Sequence, residues 1–231
     1  MKRVIIATLM AGSILSAMDG ASLQGGMNFN PMANTTESSK KDNYNDLIQF
    51  LSKSPSGEYS MSLGMIYLEG FTTPDALGNV VKPDLDKAIF YLKKSVDLGY
   101  TKSLFILGSV YYNDDRFKSI KNKNSLSEKY LSAAIDAGIY EAGVPLSSLY
   151  FYEYKNPKKA MQILHESADN NSSAAQLALA ITYGFGAKDA NIKKNEFLGN
   201  QFLELACKNK DKTTYVDKFC KSSYTLKQEE K

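Results

Sequence analysis

Few side chains in this sequence have the types and spacing needed for chemistry. His165 is the only histidine, and Cys207 and Cys220 are the only cysteines. One imidazole cannot build a His-rich metal site, and no acid and nucleophile accompany it in a triad pattern. His165 falls two places after the large apolar Ile163 on a helical pattern, a phase that points away from the core. It reads as a surface histidine. Ser38 and Lys41 have the Ser-x-x-Lys spacing of serine acyl-enzymes, but the Ser-Asp-Asn and Lys-Thr-Gly partners of such a site are missing. The pattern reads as chance. Gly184-Phe185-Gly186 follows a helical stretch instead of opening one, so it reads as a turn and not as a phosphate cradle. Lys118, Lys121 and Lys123 make a solvated basic loop, with contact to an acidic partner as the alternative. Asn170 and Asn171 each begin an Asn-x-Ser sequon. Asn171 also fits the extended acidic-x-Asn-x-Ser pattern with Asp169 and Ser173, which makes it a possible glycosylation acceptor, with a plain helix cap as the alternative. No catalytic residue, metal site or cofactor is expected from this inventory.

The chain that must position these groups has 231 residues, 43% of them hydrophobic, with 28 Lys and Arg against 25 Asp and Glu. That is enough for an apolar core, and a net charge of +3 is too small to argue for nucleic acid. Residues 1–17, MKRVIIATLMAGSILSA, have a basic start and a 14-residue uncharged run closed by Asp19. The run is shorter than the roughly 20 residues of a spanning helix and fits a cleaved signal peptide; an uncleaved anchor or a buried helix is the alternative. Its removal takes away Lys2 and Arg3 and no acid, leaving 26 basic residues against 25 acidic. Residues 18–43 are rich in Gly, Asn, Ser and Met without a period and read as a flexible spacer. A periplasmic or secreted protein follows, not integral to the membrane once the signal is cleaved. In that setting Cys207 and Cys220 read as a disulfide, against two reduced buried thiols.

The rest of the chain repeats. Leu63-Gly64-x-x-Tyr67, Leu107-Gly108-x-x-Tyr111, Leu146-Ser147-x-x-Tyr150 and Leu179-Ala180-x-x-Tyr183 recur at intervals of 44, 39 and 33 residues. Each is followed by a small residue and, three later, a large one: Ala88 and Tyr91, Ser127 and Tyr130, Ala160 and Ile163, Gly199 and Phe202. Positions three and four apart share a helix face, so each pattern is one packed stripe. The spacing predicts paired helices at 59–69 and 84–98, 101–112 and 125–137, 143–154 and 157–169, and 173–183 and 194–208. A lead-in helix at 44–53 and a closing helix at 214–226 cover the ends. Asp84 and Asn156 are expected N-caps, Ser125 to Glu128 has capping-box spacing, and Gly99 and Gly138 fall where a helix stops with positive φ.

Leu63, Gly64, Tyr67, Gly70, Asp84, Lys87, Ala88, Tyr91, Lys94 and Gly99 match A-x-x-x-L-G-x-x-Y, a variable loop, then K-A-x-x-W/Y-x-x-K-A-A-x-x-G. Over about 59–208 the chain resembles the Sel-one-like repeat family, relatives of the tetratricopeptide repeats. It departs in having no Trp, no Lys-Ala pair in copies two and four, and Asn171 in place of the third Gly. The resemblance implies an all-α, right-handed solenoid of about four helix hairpins with helical caps, filling 44–226 ahead of a polar tail at 227–231. It also implies that Tyr67, Tyr111, Tyr150 and Tyr183 are packing residues. Cysteine-rich relatives bridge paired helices in a place comparable to Cys207 and Cys220.

If the first helix of each pair lines a concave side, as in tetratricopeptide repeats, its non-core positions are Met65, Leu68, Ser109, Tyr112, Ser148, Phe151, Tyr152, Ile181 and Phe185, with Phe105 and Val144. This apolar, aromatic strip is the expected docking surface for a protein or peptide partner of the cell envelope. Covering of some rings by the lead-in helix or the spacer is the rival explanation. The expected function is an exported, non-enzymatic scaffold. The alternatives are a hydrolase of cell-wall peptides or β-lactams and a structural subunit of an envelope machine.

Overall fold

A computed structural model describes residues 43–53, 55–71 and 74–229. The expected signal peptide, Ser38–Lys41 and all of the spacer but Asn43 lie outside them. Ten helices are present among the described residues: α1 Tyr44–Lys53, α2 Gly57–Glu69, α3 Leu85–Asp97, α4 Lys102–Asn113, α5 Lys123–Asp136, α6 Gly143–Tyr152, α7 Pro157–Asp169, α8 Ser173–Phe185, α9 Glu196–Lys208 and α10 Thr214–Glu229. The fold is all-α, of helix-hairpin solenoid type. Its β-structure among these residues is limited to two isolated bridges, Phe71 with Val81 and Ala187 with Ile192. The described residues fall into two compact units, one ending at Leu107 and one beginning at Gly108.

The repeated residues do recurring physical work, shared by two or three of the four hairpins at a time. The signature tyrosine lies parallel to the large ring of the second helix: Tyr67 on Tyr91 at 5.7 Å, Tyr111 on Tyr130 at 5.9 Å, Tyr183 on Phe202 at 5.9 Å. The small residue after the signature leucine lets the helices close. A Cβ on Gly64 would stand 2.6 Å from Leu92, and one on Gly108 2.5 Å from Leu131. The loop then returns to the same point. The backbone N–H of Asp84 donates to the Tyr67 carbonyl (2.7 Å), Asn156 to Tyr150 (2.8 Å) and Asn195 to Tyr183 (2.8 Å). Each of these residues also caps its helix, the side chain accepting from the N–H three residues on. One residue thus fixes both the loop return and the helix start.

Copy two departs. α5 begins at Lys123 after Asn122, which makes no side-chain cap bond, so Ser125 to Glu128 lies inside the helix and is not its capping box. Helix stops follow the expected rule. Gly99 and Gly138 both have φ of 83°, and Asn171 takes the same left-handed role with φ of 67°. Asparagine tolerates that conformation, which explains why copy three can lack the glycine. Pro145 is accommodated because α6 starts only two residues before it.

In the first unit, α1 is held at its start by a loop. Asp75 Oδ2 accepts from the Tyr44 backbone N–H (2.9 Å), and the Tyr44 ring stacks on Phe71 at 4.5 Å. The same carboxylate accepts from Leu77 and Asn79, making the loop an Asp-centred turn. In the second unit, α8 is buried from Ser173 to Ala180, as a helix enclosed by its neighbours must be. The bridge between Cys207 and Cys220, Cα atoms 5.6 Å apart, ties α9 to α10 over a cluster of Leu177, Ala180, Ala206 and Val216.

Candidate functional site at the end of α6

The expected strip divides by burial. Met65, Leu68 and Phe105 in the first unit are buried, as are Ser109, Val144 and Ser148 in the second. Val144 belongs to the core formed with Leu164, Ala175 and Leu179. Ile181 is half-buried and packs on the cluster beneath α9 and α10. Phe185 is 69% exposed at the end of α8. Tyr112, Phe151 and Tyr152 are half-buried in the second unit, where Phe151 meets Tyr152 and the Tyr112 phenol feels the charge of Tyr152.

Their meeting point is the C-terminal end of α6, where five residues in a row, Tyr150, Phe151, Tyr152, Glu153 and Tyr154, include four rings. A helix sends successive side chains about 100° apart, so such a run surrounds the helix end with aromatic surface. Phe151 and Tyr152 meet edge to face at 5.0 Å, and Tyr150 and Tyr154 at 5.2 Å. On α5, one turn apart, Asn124 and Glu128 face this end. Glu128 Oε1 accepts from the Tyr150 hydroxyl (2.5 Å) and Oε2 from the Tyr154 hydroxyl (2.9 Å). Asn124 Nδ2 donates to Glu153 Oε2 (3.3 Å).

The electrostatics follow from these contacts. The hydrogen bond to Glu128 pushes the Tyr150 phenol up to about 12, with burial adding to it. For Tyr154 burial comes first and Glu128 second, again to about 12. Burial, then the charges of Glu153 and Tyr152, raise the Tyr112 phenol further. All three rings are therefore neutral hydroxyl donors at ordinary pH, set beside two carboxylates.

Other candidates acquire packing roles. His165 is not a free surface side chain: its Nε2 lies 2.9 Å from the Tyr183 hydroxyl, and its ring meets Phe202 edge-on at 5.7 Å. The helical phase was read from Ile163 alone, whereas α8 and α9 both approach α7 on the histidine's side. Asn171 is exposed, but its carbonyl and its Oδ1 both accept from Asn209 Nδ2 (2.7 and 3.2 Å). Ser173, the third residue of its sequon, is buried and accepts from the Thr213 N–H (3.2 Å). Gly186 has φ of 71° and ends α8, as its reading as a turn requires. Asn124, Glu128 and Glu153 escaped the sequence reading. The run Tyr150–Tyr154 was a usable signal for them, since hydroxyls crowded at a helix end need acceptors.

Among the described residues no group of three His, Cys, Asp or Glu side chains is placed to hold a metal ion, and no helix is long and apolar enough to cross a membrane. The Sel1 repeat model matches residues 57–100, 140–172 and 173–211. Its matches skip 101–139, where copy two has lost its cap yet keeps its stacked rings, close glycine and left-handed stop. No match is found among curated proteins. Two solved structures share the fold. A Sel1 repeat protein from Oxalobacter formigenes is 18% identical with a TM-score of 0.54, over 74% of this chain and 65% of that one. A protective antigen of uropathogenic Escherichia coli with an SLR fold is 16% identical with a TM-score of 0.51, over 72% of this chain and 33% of that one. The chain thus spans a third of the antigen and just under two thirds of the Oxalobacter protein. With the recurring hairpin geometry and a family match over half its length, the chain belongs to the Sel1 repeat family.

Proposed function

We propose that this chain is an exported interaction scaffold of the cell envelope, non-enzymatic, whose aromatic face at the end of α6 takes a segment of a partner protein. Sel1 repeats are of the protein-interaction scaffold type, and this supports the class of function. The observation that carries the site is the grouping of half-buried Tyr112, Phe151 and Tyr152 in one unit, with exposed Phe185 on α8 as an outlying contact. Aromatic side chains that are partly wet and partly apolar are the type enriched where proteins dock. Met65, Leu68, Phe105 and Ile181 drop out of the docking set because they are buried or packed on a core. Export is supported by the leader-like residues 1–17 and by the Cys207–Cys220 bridge, which persists in an oxidising compartment.

The test is a pull-down from envelope extract with the chain and with the double variant Tyr112→Ala/Phe151→Ala, helicity checked by circular dichroism. The variant is expected to lose its specific partner while keeping its helix signal. Equal recovery would remove the face from the proposal. Turnover of a β-lactam or a cell-wall peptide by the purified protein would overturn the non-enzymatic reading.

A further inference from the structure

We infer that the end of α6 recognises a cationic side chain, an arginine on the docked segment; this deepens the scaffold proposal and rests on it. Glu128 and Glu153 are held by neutral donors alone among the described residues: two phenols on the first and one amide on the second. Among the ion pairs of these residues none involves either carboxylate. Arg116 is paired with Asp114 and Lys118 with Asp115. Two negative charges therefore stand beside four aromatic rings without a cation of their own.

Two further features favour a guanidinium. α6 ends at Tyr152, and the negative end of its dipole adds to the attraction for a cation. The rings of Tyr112, Phe151 and Tyr152 supply flat surfaces on which a planar guanidinium stacks, while its five donors leave several for the exposed Glu153 carboxylate. An apolar side chain would desolvate the Glu153 carboxylate without bringing a charge to pair with it. A lysine would meet the ring faces and the carboxylate with a point charge and without the planar stacking and paired donors of arginine.

The experiment titrates the purified full chain with a blocked peptide, acetyl-Gly-Phe-Arg-Phe-Gly-amide, at low salt, followed by tyrosine resonances. The same peptide with citrulline or lysine in place of arginine serves as comparison. The arginine peptide is expected to bind at least about tenfold tighter than the citrulline peptide, with lysine between them. Raising NaCl from about 20 to about 300 mM should weaken it several-fold. Glu153→Gln, isosteric and expected to fold, should erase the preference for arginine over citrulline. Equal binding of the two peptides, no binding of either, or an unchanged preference in Glu153→Gln would each overturn the inference. The scaffold proposal is read separately. If partner capture is lost in Tyr112→Ala/Phe151→Ala but intact in Glu153→Gln, the scaffold stands and the arginine assignment falls. Loss in both supports both.

Discussion

Gly108→Ala sets two magnitudes against each other. In the middle of an exposed helix, Gly to Ala gains about 1 kcal/mol of helix propensity. At position 108 the new Cβ would stand 2.5 Å from Leu131 Cγ, 2.8 Å from its Cδ2 and 2.9 Å from its backbone nitrogen. Leu131 has no exposed surface, so its side chain has nowhere to turn, and the backbone contact means that α5 itself must retreat. Overpacking of this kind costs about 1–3 kcal/mol, and a rigid neighbour puts it at the upper end. The net expectation is a loss of about 2 kcal/mol. Gly184→Ala, on α8, is the control, because no heavy atom lies within 4 Å of its Cβ. There only the propensity term remains, up to about 1 kcal/mol of gain and less near a helix end. Urea unfolding followed by circular dichroism measures both, with the midpoint read at unchanged slope. Opposite signs are expected. A neutral or stabilising Gly108→Ala would refute the claim that the glycine of the repeat exists to let paired helices touch.

Replacing Cys220 by Ser, or reducing the bridge, should cost about 3 kcal/mol for a loop of this length and should speed hydrogen exchange in α10 and the end of α9 before α7 and α8. Asp75 is partly desolvated, which pushes its carboxyl up, but its bonds from Tyr44 and Asn79 outweigh this and hold it below the usual range. Its contribution is therefore present above about pH 4 and lost as pH falls through the lowered value, so α1 amides should lose protection in acid, and Asp75→Ala should remove that dependence. In an alkaline titration followed near 295 nm, Tyr150 and Tyr154 should ionise near 12, after the ordinary phenols and before Tyr112, and Glu128→Gln should bring both down toward the ordinary value of about 10.

Spacing made the helices legible. α1 and α7 have the predicted bounds, Asp84 and Asn156 cap as expected, and Tyr67, Tyr111 and Tyr183 stack on the large ring of the second helix, while Tyr150 instead bonds to Glu128. The reason is that each repeat position carries one short-range physical duty, visible as a residue type. Copy two was harder at its second helix because Ser125 and Glu128 imitate a capping box within α5, while the true start at Asn122 has no cap bond to betray it. The site was less legible. Counting places past a leucine assumes one exposed arc on every first helix, but Met65 and Leu68 are buried while Phe185 is bare. Which arc is covered depends on neighbours far along the chain. His165 illustrates the same limit, since its partner Tyr183 is 18 residues away and on another helix.

The most direct test of the scaffold account is site-specific photocrosslinking in the living cell, with a photoreactive phenylalanine analogue at Phe151. The account predicts a discrete adduct with one envelope protein, absent when the analogue replaces exposed Phe90 on α3 and lost when Tyr112→Ala is added. No adduct at Phe151, or the same adducts from Phe90, would contradict it.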